Sequence, residues 1–526
     1  MKRKTKHILL AVLSGFLLTG AFPKIGWDWL IWFALLPLLY ALKDLSPRPA
    51  FRMGFITGLV HFLTLLYWLV PVMRTYGFLP AYLSIAILCL LAAVLAVFIA
   101  LFSAALAAFG KTPVRCLIMV PLGWVALEYL RSFIFSGFPW ELLGYSQYNR
   151  LQLIQISDIF GVYGLSGLIA FTNGTILLCL LYFARRRWQE TSISNRLATG
   201  SIIILTAAFG LTLLYGHWRL NTINKRIAAA PKARVAVIQG NIDQAIKWNP
   251  AFQIDTVKKY NRLSASIIEL HPDLIVWPEA ATPFYFLVDI KPSELVFEGI
   301  HQTAKDYLIG SPSFVRNHDI DRYYNSAFLI SPKTKTMGKY NKTHLVPYGE
   351  YVPFKKWLPF LGKIVAQVGD FDAGKIGNTL PWRDQQLGVQ ICYEIIFPAL
   401  SRAMANNDAS LLINITNDAW FGKTSGPYQH FSMAVFRAVE NRRSLARAAN
   451  TGISGFIDPT GRVLASTALL QEAAVVQPLA LLKEKSIYTQ TGDLFAGSCM
   501  AVVILLTVLG LIQWRINIKR LSRKSS

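Results

Sequence analysis

Three residues of this chain have types suited to acyl-group chemistry, and each reads as following directly after a strand. Cys392 lies in Gly-Val-Gln-Ile-Cys-Tyr-Glu, Glu279 closes Leu-Ile-Val-Trp-Pro-Glu, and Lys342 lies in Lys-Tyr-Asn-Lys-Thr-His. A thiol attacks a carbonyl well only as thiolate, so it needs a base or a nearby cation. Glu279 would take the thiol proton and return it to the leaving group. Lys342 would stabilise the thiolate and the developing oxyanion, helped by the backbone N–H that follows the nucleophile. Singly, each residue has a plainer reading. A glutamate or lysine after a strand usually lies at the surface, and a lone cysteine is usually core. Placed together at the ends of separate strands, they form a candidate site.

The elements that must carry them read as an α/β layered domain. Apolar, β-branched runs recur at Val235–Ile238, Leu274–Trp277, Tyr307–Ile309, Ala327–Ile330, Gly388–Ile391, Leu411–Ile415 and Gly452–Ile457. Helix-length stretches such as Gln253–Leu270 and Gln429–Ala449 separate several of them, the alternation of a layered α/β fold. Of the five cysteines, Cys89, Cys116, Cys179 and Cys499 fall in long apolar segments, where a thiol is a small hydrophobe. Cys392 is then the lone thiol of this domain, which has no internal disulfide. No Cys/His spacing suggests zinc, and nothing in the sequence calls for a cofactor.

The rest of the chain is apolar in long runs, and 53% of all residues are hydrophobic against 16% charged. That balance excludes disorder, collagen and a disulfide scaffold. Eight segments of membrane-span character can be drawn: Ile8–Phe22, Trp27–Leu42, Met53–Met73, Tyr82–Phe109, Cys116–Phe135, Val162–Ala184, Thr199–Tyr215 and Leu494–Trp514. The first two are short for a span. The basic start Met1–His7 resembles a signal peptide, but no clean cleavage site follows it and more spans come at once.

The net charge of +24 is mostly a topology signal. Alternate gaps between apolar runs hold 18 Lys and Arg against Asp44 and Glu190, a net of +16. Cytoplasmic loops collect such residues, so the N-terminus, these gaps and the C-terminus are expected in the cytoplasm. No compact basic stripe remains for nucleic acid. The expected organisation is residues 1–216 as seven spans and 217–493 as a soluble domain on the outer side. An eighth span at 494–514 and a basic cytoplasmic tail at 515–526 complete it. In a Gram-negative cell that places the soluble domain in the periplasm and the chain in the inner membrane. Glu128 and Arg131 read as an i,i+3 pair at a membrane interface, and the glycines of the sixth span as close-packing residues.

At this point the sequence resembles a known family. Trp-Pro-Glu at 277–279, Tyr-Asn-Lys-Thr-His-Leu-Val-Pro-Tyr-Gly-Glu-Tyr-Val-Pro at 340–353 and Ile-Cys-Tyr-Glu at 391–394 resemble the three catalytic motifs of the nitrilase superfamily. Their particular form, with Gln-Gly-Asn-Ile at 239–242, Asn-Ile-Thr-Asn-Asp-Ala-Trp-Phe at 414–421 and Phe-Pro-Trp at 138–140, is similar to the apolipoprotein N-acyltransferase family. The resemblance implies about eight transmembrane helices and a periplasmic αββα nitrilase-like sandwich. It makes Glu279 the general base, Lys342 the oxyanion stabiliser and Cys392 the nucleophile. Glu350 matches a second active-site glutamate, Tyr393 and Glu394 follow the nucleophile, and Trp248 corresponds to a substrate-contacting tryptophan. The implied reaction is ping-pong. Cys392 takes an acyl chain from a glycerophospholipid, and the α-amino group of a diacylglyceryl-cysteine at a lipoprotein N-terminus then takes it from the thioester.

Two rival readings differ in what the spans do. A membrane-anchored nitrilase-type amidase shares the trio, but seven spans are excessive for an anchor. A transporter with a passive outer domain needs polar groups at its midplane, and His61 and Asn173 are nearly the only candidates. Finally, Lys355–Phe371 pairs lysines with Trp357, Leu358, Phe360 and Leu361, the composition of an interfacial segment. It reads as a lipid-contacting lid over the site, with Trp357 and Phe360 as substrate-binding residues. The alternative is that these side chains pack inward as core.

Overall fold

The computed structural model describes residues 2–316, 321–352 and 370–522. The chain folds as two compact units, residues 1–217 with 493–526, and residues 218–492. The first is helical. Among the described residues, four helices are long and apolar enough to cross a membrane: Ala81–Phe109, Pro113–Arg131, Ser157–Phe183 and Asn195–Ala229. A fifth candidate is the pair Pro47–Leu65 and Leu69–Thr75, bent by 51° at the break between them. Pro71 explains the break, because its ring clashes with the carbonyl four residues back. The apolar segment expected over Trp27–Leu42 is likewise not one helix. A short 3-10 turn at Asp28–Trp32 gives way to a helix at Leu36–Leu42 with proline in its first turn, where the missing N–H costs nothing.

Polar groups inside this unit are put to structural use. Asn173 donates to Ile31 O (3.0 Å) and accepts from Leu35 N (3.0 Å), satisfying the backbone of the broken segment. His61 Nδ1 meets Thr19 Oγ1 at 3.0 Å. Both groups that a transporter midplane would need therefore have local partners. Glu128 and Arg131 are both buried within this unit. Glu128 Oε1 accepts from the Trp124 indole and from Leu143 N, each at 2.8 Å. Of the glycines, Gly54 and Gly58 let helix Pro47–Leu65 approach Ser103 and Ala96 of helix Ala81–Phe109, where a Cβ would collide.

The second unit has two six-stranded sheets. One runs β12-β1-β2-β3-β4-β5 and the other β11-β10-β9-β8-β7-β6. The strands of the first are β1 (Lys232–Gln239), β2 (Leu274–Val276), β3 (Asp306–Arg316), β4 (Asp321–Ile330), β5 (Thr336–Asn341) and β12 (Ala473–Ala480). Those of the second are β6 (Thr379–Trp382), β7 (Gln385–Ile391), β8 (Leu411–Thr416), β9 (Ser444–Ala449), β10 (Gly455–Ile457) and β11 (Val463–Ser466). Each sheet has three parallel strands, β1-β2-β3 and β7-β8-β9, flanked by antiparallel ones. The sheets pack face to face, with helices Gln253–Ala265 and Ile290–Thr303 outside the first and Pro398–Asn406 and Gly426–Asn441 outside the second. β2 and β8 are buried along their whole length, as strands covered on both faces must be. The helix expected to run to Ala449 stops at Asn441, because Arg442 turns left-handed (φ 52°) and the chain enters β9.

Candidate active site

Strand ends deliver the site, Glu279 after parallel β2, Cys392 after parallel β7 and Lys342 after antiparallel β5. After β2 the chain passes through Trp277, whose indole stacks on Tyr260 (4.9 Å between centroids) and donates to Ser264 Oγ at 3.0 Å. That buried anchor fixes the two residues that follow, Pro278 and Glu279. Gly310 on β3 is required here, since a Cβ would run into the Pro278 carbonyl and the Glu279 Cα. Lys342 follows β5 directly and its N–H bonds Asn325 O of β4 at 2.8 Å. Cys392 follows β7 with φ +53°, and Ala280 after Glu279 has φ +46°. Left-handed backbone at non-glycine residues persists only where surroundings impose it, and it clusters at functional sites.

The side chains form one buried network. Asn325 Nδ2 donates to Glu279 Oε1 and to Glu350 Oε1, both at 2.8 Å. Lys342 Nζ lies 2.8 Å from Glu350 Oε2 and 3.7 Å from Glu279 Oε1, and its side chain is 1% exposed. Asn417 N donates to Glu279 Oε2 (2.8 Å) and Val346 N to Glu350 Oε2 (2.9 Å). Burial alone would depress the Lys342 ammonium, but Glu350, Glu279 and Cys392 together hold it well above its ordinary value. Burial, then Glu279, pushes the Cys392 thiol well up, and Lys342 only partly offsets this. A thiol pushed up in this way needs a base to take its proton before it can attack a carbonyl. A second buried lysine, Lys247, donates to Glu279 O at 3.1 Å. Burial pulls it down to about 8 against the upward influence of Glu279 and Cys392.

Glu394, two residues past Cys392, is a hub of hydrogen bonds. Its carboxylate accepts from Tyr340 Oη (2.9 Å), Thr343 N (2.6 Å), Thr343 Oγ1 (2.8 Å), His344 N (3.1 Å) and Ile391 N (2.6 Å). It thus ties the loop bearing Lys342 to the strand bearing Cys392. Glu394→Gln would turn one acceptor oxygen into a donor facing donors. The variant is expected to lose roughly 2–3 kcal/mol of stability, the scale for a buried charged acceptor removed from its partners. Thermal melting checks this, and an unchanged Tm would remove Glu394 from the scaffold.

The structure thus brings Glu279, Lys342 and Glu350 within direct reach, with Cys392 in their field. Tyr393 packs edge-on to Phe397 (5.2 Å between centroids) beside His344. Trp248 is 49% exposed and caps the short helix Gln244–Lys247. Trp357 and Phe360 lie outside the described residues, as does the expected lid except for Asp370 and Phe371. Sequence reasoning missed Asn325, Lys247 and Asn417 as site residues. Asn325 had one signal, an amide in mid-strand between aromatic and apolar residues. Asn417 lay inside the quoted 414–421 segment without a role.

Comparisons with known proteins match both units. Residues 14–175 match the apolipoprotein N-acyltransferase N-terminal domain and residues 234–480 the carbon-nitrogen hydrolase family. The chain is 45% identical over 498 residues to the apolipoprotein N-acyltransferase of Geobacter metallireducens, covering 94% of each. It is 33% identical over 506 residues to that of Methylococcus capsulatus, covering 95% of each. Among solved structures, a variant of the Nesterenkonia AN1 amidase of the nitrilase superfamily is 20% identical and covers 50% of this chain and 95% of its own, with a TM-score of 0.37. With such identity sustained across nearly its whole length, the chain belongs to the apolipoprotein N-acyltransferase family.

Proposed function

We propose that the protein N-acylates lipoproteins, taking the acyl chain from a glycerophospholipid through a thioester on Cys392. The observation that carries this reading is the shared buried network of Glu279, Lys342 and Glu350, whose Glu279 and Lys342 act on the Cys392 thiol, in a chain of this family. Cys392 Sγ attacks the ester carbonyl as its proton passes to Glu279. Lys342 stabilises the oxyanion, the ester C–O bond breaks, and Glu279 protonates the departing lysophospholipid oxygen. In the second half the α-amino group of the diacylglyceryl-cysteine attacks the thioester and gives a proton to Glu279, and the C–S bond breaks as Glu279 returns that proton to the Cys392 sulfur. Glu350 holds Lys342 in place, and Trp248 meets substrate at the mouth. Trp357 and Phe360, in the lipid-contacting segment, admit the donor.

The apolar helices and the charge asymmetry of the loops support a multi-pass protein with about eight spans. Residues 217–493 then face the periplasm of an inner membrane, with both termini cytoplasmic. Both substrates are lipids, which accounts for so large a membrane part.

The test is intact mass after incubation with phospholipid alone, followed by addition of a diacylglyceryl peptide. An acyl adduct should appear on the protein and then move to the peptide. Acyl chains recovered only as free acid would make the protein a hydrolase, and no adduct at all would end the thioester reading.

A further inference from the structure

Behind Cys392 lies a second buried polar cluster that the reaction above does not use. His430, on helix Gly426–Asn441, points Nε2 at the Cys392 carbonyl oxygen, 3.2 Å away. Asn414 of β8 donates Nδ2 to the same oxygen at 3.5 Å and to Gln390 O at 3.1 Å. A carbonyl only accepts, so Nε2 carries the hydrogen. The opposite ring nitrogen, Nδ1, lies 3.0 Å from Asp418 Oδ1 and 2.9 Å from Arg447 Nη2. Arg447 in turn bonds Asp418 Oδ2 at 2.8 Å, Ile453 O at 3.2 Å, and Asn414 Oδ1. Asp418, His430, Arg447 and Asn414 are each at most 1% exposed. Gly452 leaves the space that the Asp418 carboxylate fills.

The oxygen being held belongs to a particular peptide unit. A peptide bond is planar and trans, so the Cys392 C=O and the Tyr393 N–H are rigidly coupled and point in opposite directions. Fixing one end aims the other. The Tyr393 N–H is the backbone group that follows the nucleophile, the donor expected to meet the oxyanion. It must be held true although Cys392 sits in a left-handed conformation that a cysteine would otherwise leave. We infer that His430, with Asn414, is a positioning residue that locks the Cys392–Tyr393 peptide plane. Arg447 donates to Nδ1 and sets the ring, and Asp418 holds Arg447. This deepens the thioester mechanism proposed above and rests on it.

Two amide replacements separate this role from mere packing. In His430→Gln the side-chain nitrogen reaches the place of Nε2 and still donates to Cys392 O. In His430→Asn it reaches only the place of Nδ1. In full-length protein in detergent, single-turnover formation of the acyl-enzyme from a phospholipid is measured beside thermal stability. The expected result is that His430→Asn forms the adduct about 10–100-fold more slowly than His430→Gln, less than the loss for deleting an oxyanion donor outright. KM for the phospholipid should be similar in the two. Equal rates in both variants, or losses that only follow Tm, would overturn the inference. Should neither variant fold, Asn414→Asp serves instead, since it keeps the acceptor for Arg447 and removes the donor to Cys392 O. An adduct formed at the parental rate in that variant would equally overturn it. The parent's own adduct, absent in Cys392→Ala, tests the thioester reading separately.

Discussion

Cys392→Ala is expected to fold normally and form no acyl adduct, and Glu279→Gln to slow adduct formation by about 10²–10⁴-fold, the range for a lost general base. The cysteine is the only thiol in residues 218–492, so no neighbour can substitute. Glu279 is needed because the thiol rests protonated: burial, and Glu279 itself, hold it up. Glutamine preserves the shape but cannot accept a proton, and it must also meet the donors of Asn325 and Asn417. Single-turnover labelling with acyl-tagged phospholipid reads both variants, and thermal melts confirm their folds. Transfer at a normal rate by Cys392→Ala would refute the mechanism.

Lys342→Met should be as damaging, for a reason that also touches stability. The ammonium is the cation between two buried carboxylates that share the Asn325 amide. Removing one partner of a buried ion pair costs about 3–5 kcal/mol, because the charges left behind are uncompensated. Lys342 is raised in the folded state, so its contribution is complete below the unfolded lysine value of about 10.4 and is lost only as pH climbs through the raised value. In the variant the direction is the same but the window moves to acid pH. Burial and mutual repulsion favour a proton on one carboxylate, so stability should fall as pH rises from about 4 towards neutrality. The thiol should also be harder to ionise, which slows alkylation by a small electrophile at neutral pH. Lys342→Arg keeps the charge, but its planar fork does not match the ammonium's place, and it should fail nearly as badly. A parental alkylation profile in Lys342→Met would remove the electrostatic role.

Glu279 and Cys392 were legible because they stand immediately after apolar strands, a contrast that survives in one dimension. Lys342 follows β5, which has no apolar run, and was legible through the 340–353 motif. The groups that hold the trio were not. Asn325, Asn414 and Asn417 are amides, and amides read as surface or turn until burial is known. Arg447 lies in Ser-Leu-Ala-Arg-Ala-Ala, good helix-forming composition that the structure spends on the wholly buried β9; tertiary packing overrode propensity there. Seven apolar runs located β1, β2, β3, β4, β7, β8 and β10, whereas β5, β6 and β11 are short or partly exposed and lack such a run. In the helical unit, hydropathy registered that Trp27–Leu42 was apolar but not that it was broken. What satisfies the break is Asn173, far away in sequence.

The pairing of β1 with β12, from Lys232 opposite Ala480 to Gln239 opposite Ala473, has a consequence for biosynthesis. The first strand of the catalytic unit to be made waits for the last. Roughly 230 residues separate them, which at about 5–20 residues per second leaves that side of β1 without its partner for on the order of 10–50 s. An open edge is an invitation to pair with another nascent chain, and β12, which carries Pro478 and is the edge strand of this sheet among the described residues, closes it in a form that cannot easily extend further. A ribosome that stops between Cys392 and Ala473 therefore releases a chain with Glu279, Lys342 and Cys392 already made but with β1 uncovered. Such fragments should be targets for quality control rather than partly active enzymes.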